Sequence, residues 1–228
     1  MESLTVGHPH WEALTPKTRK AFHFLGGLAL TRRFYLAGGT GLALHLGHRL
    51  SVDLDFFSTM PDAVGVEERS TLRAALDDPS LAISHDKDAT FVAIWRGVGV
   101  SFFRLDLYPL VRPLFSLDGV ALAGVEEVGA MKLAAIIDRG ARKDFVDLYF
   151  ILQDVELEAL FRVAAVKYAR VRNFAISATR ALAYFEDAEA LPMPRMLDKT
   201  SWQTMKKFLQ AKAMEAGRQH LHDLWDQT

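Results

Sequence analysis

The sequence predicts an α/β (α+β) protein: a lobe with a small mixed sheet, followed by a helical C-terminal lobe. Three observations predict it. Two apolar strand candidates flank a short helix between residues 34 and 58. Three more strand candidates, separated by tight-turn residues, follow before residue 109. Beyond residue 125 the apolar residues recur at helical spacing instead. The two lobes are placed at 1–118 and 119–228.

The chain is organised around FYLAGGTGLALHLGHRLSVDLDFFS, residues 34–58. Phe34 to Ala37 reads as a buried strand, and Gly38, Gly39 and Thr40 follow at once. Leu42, Ala43, Leu44 and Leu46 then favour a short helix. Gly-Gly-Thr between strand and helix offers backbone N–H groups at a helix N-terminus, an anion site that glycine lets a phosphate approach closely. The second strand, Val52 to Phe57, carries Asp53 and Asp55 at i and i+2, which project from one face. Two adjacent carboxylates repel each other, and a divalent cation relieves the repulsion. Where phosphates supply further ligands, that ion is most often Mg²⁺. Arg49 is a candidate to hold a phosphate or a carboxylate through two bonds.

The remaining elements follow in order. Glu12 to Leu30 reads as a helix, with Thr15 as cap and Pro16 in its first turn. His8 and His10 read as frayed polar residues rather than a metal site. Val66 to Leu76 reads as a helix with one exposed side. Leu81 to His85, Phe91 to Trp95 and Val98 to Tyr108 form an antiparallel meander, with turns at Asp86-Lys87-Asp88 and Arg96-Gly97. In the last strand Asp106 alternates with Phe103, Leu105 and Leu107. A carboxylate in so apolar a setting needs an ion-pair partner, Arg104 being one, or a metal. Asp118 reads as a turn residue.

Val125 to Arg139 and a helix from Arg142 follow, with Gly140 as the break between them. Lys132, Ile136 and Arg139 share a face. On spacing alone, Lys143 and Asp147 read as an exposed i, i+4 pair. Lys167, Arg170 and Arg172 read as a basic cluster beside Tyr168: a solvated face, or a contact for a nucleic-acid backbone. Leu191-Pro-Met-Pro reads as a linker before a last helix, Trp202 to Trp225.

Composition bounds the function. At 228 residues, 50% hydrophobic and 24% charged, the chain can bury a real core. Its net charge of -1 supplies no global field for nucleic acid, so such contacts must be local. With no cysteine, disulfides, cysteine zinc sites and thiol nucleophiles are excluded. No leader-like start and no apolar run of membrane-spanning length is read, so a soluble cytoplasmic protein without a membrane partner is expected.

Gly38-Gly39-Thr40, then Gly47-His48-Arg49 with Ser51, then Asp53-Leu54-Asp55-Phe56-Phe57 resemble the nucleotidyltransferase superfamily, and within it the AbiEii-type toxin family of abortive-infection and toxin–antitoxin systems. The resemblance covers residues 34–152. It implies that Asp106 is a third metal carboxylate, brought beside Asp53 and Asp55 by strand pairing. It also implies later motifs at Lys132, Arg139 and KDFVDLY, residues 143–149, where Lys143 stands in place of the arginine of many relatives. Of the two carboxylates there, Asp144 is favoured for the site and Asp147 for holding the helix pair together.

The expected chemistry is nucleotidyl transfer at a site between the lobes. Gly38, Gly39 and Thr40 would cradle the NTP phosphates, with Arg49, Lys132 and Arg139 assisting. Asp53, Asp55 and Asp106 would hold Mg²⁺ or Mn²⁺, and Lys132 and Asp144 would complete the catalytic set. The acceptor is an RNA, such as a tRNA end, or a protein, and a neighbouring gene is expected to encode an antitoxin. The alternatives are a nucleotidyltransferase for small molecules of the antibiotic type, a nucleotide-binding regulator that transfers nothing, and a metal-dependent hydrolase. The last gives no reason for the Gly-Gly-Thr.

Overall fold

A computed structural model describes residues 4–225. The chain divides into two compact units, Met1–Gly124 and Val125–Thr228.

The first unit is built on one mixed sheet. Its strands are β1 (Leu4–Thr5), β2 (Tyr35–Leu36), β3 (Asp53–Ser58), β4 (Ala82–Lys87), β5 (Thr90–Trp95), β6 (Val98–Arg104), β7 (Leu114–Leu117) and β8 (Val120–Ala123). They lie in the order β1-β7-β8-β2-β3-β6-β5-β4. β2 and β3 are antiparallel, while β3 and β6 are parallel. A parallel pair needs a long crossover, and the helix α3 (Val66–Ala75) with β4 and β5 supplies it. The inward residues of β3, Leu54 and Phe56, meet Phe102 of β6 and Phe22 of helix α1 (Pro16–Gly26) in one apolar core. The Phe56 and Phe102 rings stack with centroids 4.9 Å apart.

Helix α1 is shorter than its apolar pattern predicts. Thr15 caps it, its Oγ1 accepting the Thr18 N–H at 3.1 Å, and Pro16 takes the first helical position. The residue before a proline is biased away from helix, so Trp11–Ala13 forms a separate 3₁₀ turn. Gly26 and Gly27 end the helix, and a second 3₁₀ turn covers Ala29–Arg33. The β7–β8 hairpin has no counterpart among the sequence-predicted strands, although its turn residue Asp118 is read correctly. Asp118 and Gly119 both take positive φ, as a two-residue hairpin turn requires. Because β8 pairs with β2, residues 120–123 belong to the sheet rather than to the helices that follow.

The second unit is helical: α4 (Val125–Asp138), α5 (Arg142–Ile151), α6 (Leu157–Lys167), α7 (Phe174–Ala181), a short α8 (Glu186–Glu189) and α9 (Trp202–Trp225). α4 packs against α5, α6 and α7. Gly129 permits the close crossing with α6, since a Cβ there would fall 2.6 Å from Leu160 Cδ2. Leu133, Phe145, Leu148 and Leu160 are buried. So is an ion pair, Glu127 with Lys167 at 2.7 Å, neither side chain exposed. This corrects the reading of Lys167 as part of a basic surface cluster. Arg170 and Arg172 are exposed, whereas Lys167 points into the helix bundle to neutralise Glu127. Among the described residues, no helix is long and apolar enough to cross a membrane.

Candidate active site

β2 leads into helix α2 (Gly38–Leu46) through a sharp turn. The Ala37 N–H donates to the Asp55 carbonyl at 3.1 Å, which fastens the turn to β3. Gly38 has φ +63, the left-handed region, so a residue without Cβ is required to swing the chain from strand to helix. Beside it stands Asp55: a Cβ on Gly38 would lie 3.2 Å from Asp55 Oδ2. Gly39 is needed for space. A Cβ there would come within 2.5 Å of an Arg49 guanidinium nitrogen and 3.2 Å of Ser51 Oγ. The first N–H groups of a helix have no acceptor within the helix, so those of Gly38 to Thr40 fall where the two glycines keep side chains away.

Thr40 acts differently from the glycines. It is buried, and its hydroxyl lies within hydrogen-bond reach of the Asp53 carbonyl and, at 2.8 Å, of Ser51 Oγ. Its side chain therefore fixes the start of β3, leaving only its backbone N–H for a ligand. Arg49 is 5% exposed and donates Nη1 to the Leu50 carbonyl at 3.1 Å, so its positive charge is held rigidly behind Gly39. His45 donates its Nε2–H to the Ala123 carbonyl, 3.0 Å away. Burial pushes its pKa down, with that hydrogen bond partly opposing. His10 sits 2.7 Å from Glu12, an exposed pair.

β3 presents its carboxylates by alternation. Leu54 and Phe56 are fully buried, Asp55 is half-buried and Asp53 is exposed. The parallel register sets Asp53 beside Gly99 and Asp55 beside Ser101 of β6. A Cβ on Gly99 would collide with Asp53 Oδ1. The sequence reading missed Gly99 and Ser101. The available signal was the small residues at alternate positions of VGVSFF, opposite the apolar Val98, Val100 and Phe102.

Asp106 is not brought to this place. β6 ends at Arg104, three residues past Ser101, which carries the chain about 10 Å along the sheet from the level of Asp55. Among the described residues, no group of three or more histidines and carboxylates is placed to hold one metal ion. The strand predicted through Tyr108 stops because Leu105 N–H bonds to the Ser58 carbonyl at 2.7 Å and the chain turns, Tyr108 N–H closing on the Leu105 carbonyl at 3.0 Å. Asp106 lies in that turn, 3.5 Å from Arg104 Nε.

In the helical unit the structure joins the four later candidates. Lys132 Nζ lies 2.9 Å from Asp144 Oδ1 and 2.6 Å from Asp147 Oδ2. Arg139 donates Nε to Asp144 Oδ2 at 2.9 Å and a second nitrogen to Oδ1 at 3.1 Å. Both carboxylates are wholly buried and Lys132 nearly so, whereas the Arg139 side chain is 53% exposed. Asp147 therefore pairs across helices with Lys132 rather than along its own helix with Lys143. Burial works against the Lys132 ammonium, but Asp147 and Asp144 outweigh it and raise its pKa. Burial likewise opposes ionised Asp144, and Lys132 and Arg139 outweigh it, holding that carboxyl below its usual range.

A mixed sheet whose strand–glycine–helix turn faces paired carboxylates on the next strand defines the nucleotidyltransferase fold, and solved structures agree. MenT4, a nucleotidyltransferase toxin from Mycobacterium tuberculosis, superposes with a TM-score of 0.61 at 16% identity, over 88% of this chain and 82% of that one. JHP933 from Helicobacter pylori gives 0.54 at 17% identity, over 92% and 97%. ANT(2")-Ia, solved with adenylyl-2"-tobramycin, gives 0.51 at 14% identity, over 68% and 99%. The chain belongs to the AbiEii nucleotidyl transferase toxin family of Type IV toxin–antitoxin systems, which it matches over residues 23–226. It is also 32% identical over 208 residues to the protein aq_aa25 of Aquifex aeolicus, covering 89% of this chain and 97% of that protein.

Proposed function

We propose that this chain moves a nucleoside monophosphate from an NTP to an acceptor, an RNA or a protein, and that it acts as the toxin of a toxin–antitoxin pair. The observation that carries the reading is the placement of the Asp55 carboxylate against Gly38, so that paired carboxylates border the helix N-terminus where a triphosphate would rest. Family membership supports the toxin role and an antitoxin partner.

The donor set suits Mg²⁺ or Mn²⁺. Asp53 and Asp55 offer hard oxygen ligands, and such ions are commonly held by one or two carboxylates completed by substrate phosphates and water. Asp53 and Asp55 would hold the ion, and Asp106 is left out because of where β6 ends. When bound, the ion supplies charge stabilisation at the phosphates and acidifies an adjacent hydroxyl.

The chain's own groups would do the rest. The N–H groups of Gly38, Gly39 and Thr40 would orient the phosphates. Arg49 would add fixed positive charge behind them. In the helical unit, Asp144 would hold the half-exposed Arg139 guanidinium, and Lys132 would fix Asp144 in place. The acceptor oxygen attacks the α-phosphorus, and the bond to the β-phosphate's bridging oxygen breaks. Pyrophosphate leaves, and the acceptor proton passes to Asp53, the more exposed carboxylate.

The test is label transfer. NTPs labelled at the α-phosphate are incubated with the protein, Mg²⁺ and cellular RNA or protein, with γ-labelled NTP as control. Transfer of α-label but not γ-label to RNA or protein is expected. Binding without transfer would support a regulator instead, and transfer only to an aminoglycoside would support a small-molecule enzyme.

A further inference from the structure

A cavity of about 100 Å³ lies apart from the glycine turn, lined by Lys17, Lys20 and Ala21 of α1 and by Trp95 and Arg96 at the β5–β6 hairpin. Three of its five lining residues are cations. Lys17 and Lys20 make no ion pair among the described residues, while Arg96 donates Nε to Asp78 at 3.0 Å. Hydrogen bonds from the Ser80 hydroxyl and N–H, with a further one from Arg96, lower the Asp78 pKa to about 2. The cavity thus keeps a net positive charge after that carboxylate is counted.

Two further features point to a ligand. Trp95 is 2% exposed, yet its Nε1–H has no acceptor among the described residues. A buried donor left unsatisfied is costly and calls for a partner. The turn is also unusual. Arg96 and Gly97 both take positive φ, a two-residue hairpin turn that normally selects Asn or Gly at the first place. An arginine in that strained conformation is held by several contacts. Its N–H bonds to Ser80 Oγ at 2.9 Å, and its guanidinium lies 4.5 Å from the Trp95 ring. Lys17 Nζ reaches over the same turn, 3.5 Å from where a Gly97 Cβ would stand.

The cavity lies at the Asp53 end of the sheet. Gly97 precedes by two residues Gly99, which pairs with Asp53. Thr18, next to Lys17, donates to the Val52 carbonyl at 3.3 Å.

We propose that this cavity is a phosphate subsite. It takes one phosphate group of a nucleic-acid strand or of a free nucleotide, with Lys17 and Lys20 supplying charge and the Trp95 indole supplying a hydrogen bond. Its use in guiding an acceptor rests on the transferase reading above; its binding chemistry does not.

The test follows the indole N–H resonances of the ¹⁵N-labelled full chain. The Trp95 signal is assigned as the one absent from Trp95→Phe. Inorganic phosphate, ATP and a short oligoribonucleotide are titrated separately. The expected result is a shift of that signal with a phosphate-bearing ligand. The Lys17→Ala/Lys20→Ala variant should weaken binding about tenfold and lower its salt dependence by about one to two charges. A shift with RNA alone assigns the group to a strand; an equal shift with ATP assigns it to the nucleotide. A Trp95 signal unmoved by all three, or an unchanged affinity and salt slope in the double variant, overturns the proposal. Asp53→Ala should leave the shift intact. A shift in a protein that transfers nothing upholds the subsite and removes the transferase reading, whereas transfer without the shift removes the subsite alone.

Discussion

The two units handle their carboxylates in opposite ways. In the sheet unit, Asp53 stands exposed at the start of β3, and the missing side chain of Gly99 leaves room for it. In the helical unit, Asp144 and Asp147 are wholly buried and saturated by Lys132 and Arg139. The first arrangement leaves the Asp53 carboxylate open to solvent. The second uses the same chemistry to fasten α4 to α5. The difference teaches that a charged motif read from sequence can stand open to solvent or fasten two helices together, and that burial separates the two.

Breaking the clamp should have the largest effect on stability. Lys132→Met leaves two carboxylates buried without their shared cation and should cost about 3–5 kcal/mol, measured by urea denaturation. If the change costs under about 0.5 kcal/mol, Lys132 is no clamp. Replacing all three members together, Lys132→Met with Asp144→Asn and Asp147→Asn, should recover much of the loss, because neutral groups need no partner charge.

The same contrast should appear in pH dependence. Asp144 has a folded pKa below its ordinary 3.8. Its contribution is therefore present above that value and is lost as pH falls through the folded one. Lys132 has a folded pKa above its ordinary 10.5. Its contribution is present below that value and is lost as pH rises through the folded one. Thermal melts should show the wild type losing more stability at both extremes than the triple variant does, with a shared plateau between. Parallel curves at all pH values would remove the clamp from the account.

A smaller effect sharpens the open site. Gly39→Ala places a methyl group against the Arg49 guanidinium and Ser51. It should cost about 1–3 kcal/mol by overpacking and weaken NTP binding measured by calorimetry. Gly38→Ala adds a strained positive φ to the crowding by Asp55, so it should be at least as damaging.

The sheet site was legible where its chemistry is local. Gly-Gly-Thr between two strands and the Asp-x-Asp alternation both lie within 34–58, and the family resemblance rests on them. Non-local features were not legible. Leu105 and Leu107 continue the apolar alternation past Arg104, so nothing in the pattern announces that β6 ends there and strands Asp106 in a turn. Lys167 reads as one basic residue among several until α6 packs on α4 and buries it against Glu127. The partners of Asp147 and Asp144 depend on how α4 meets α5, which spacing within α5 cannot tell. β7 and β8 are four residues each, too short for their alternation to stand out, although their turn does.

The most direct measurement compares Asp53→Asn with wild type for α-label transfer and for melting temperature in the same preparation. The account predicts transfer lower by about 10²–10³-fold or more, with stability within about 0.5 kcal/mol, since Asp53 is exposed. Transfer undiminished in a folded Asp53→Asn protein would contradict it.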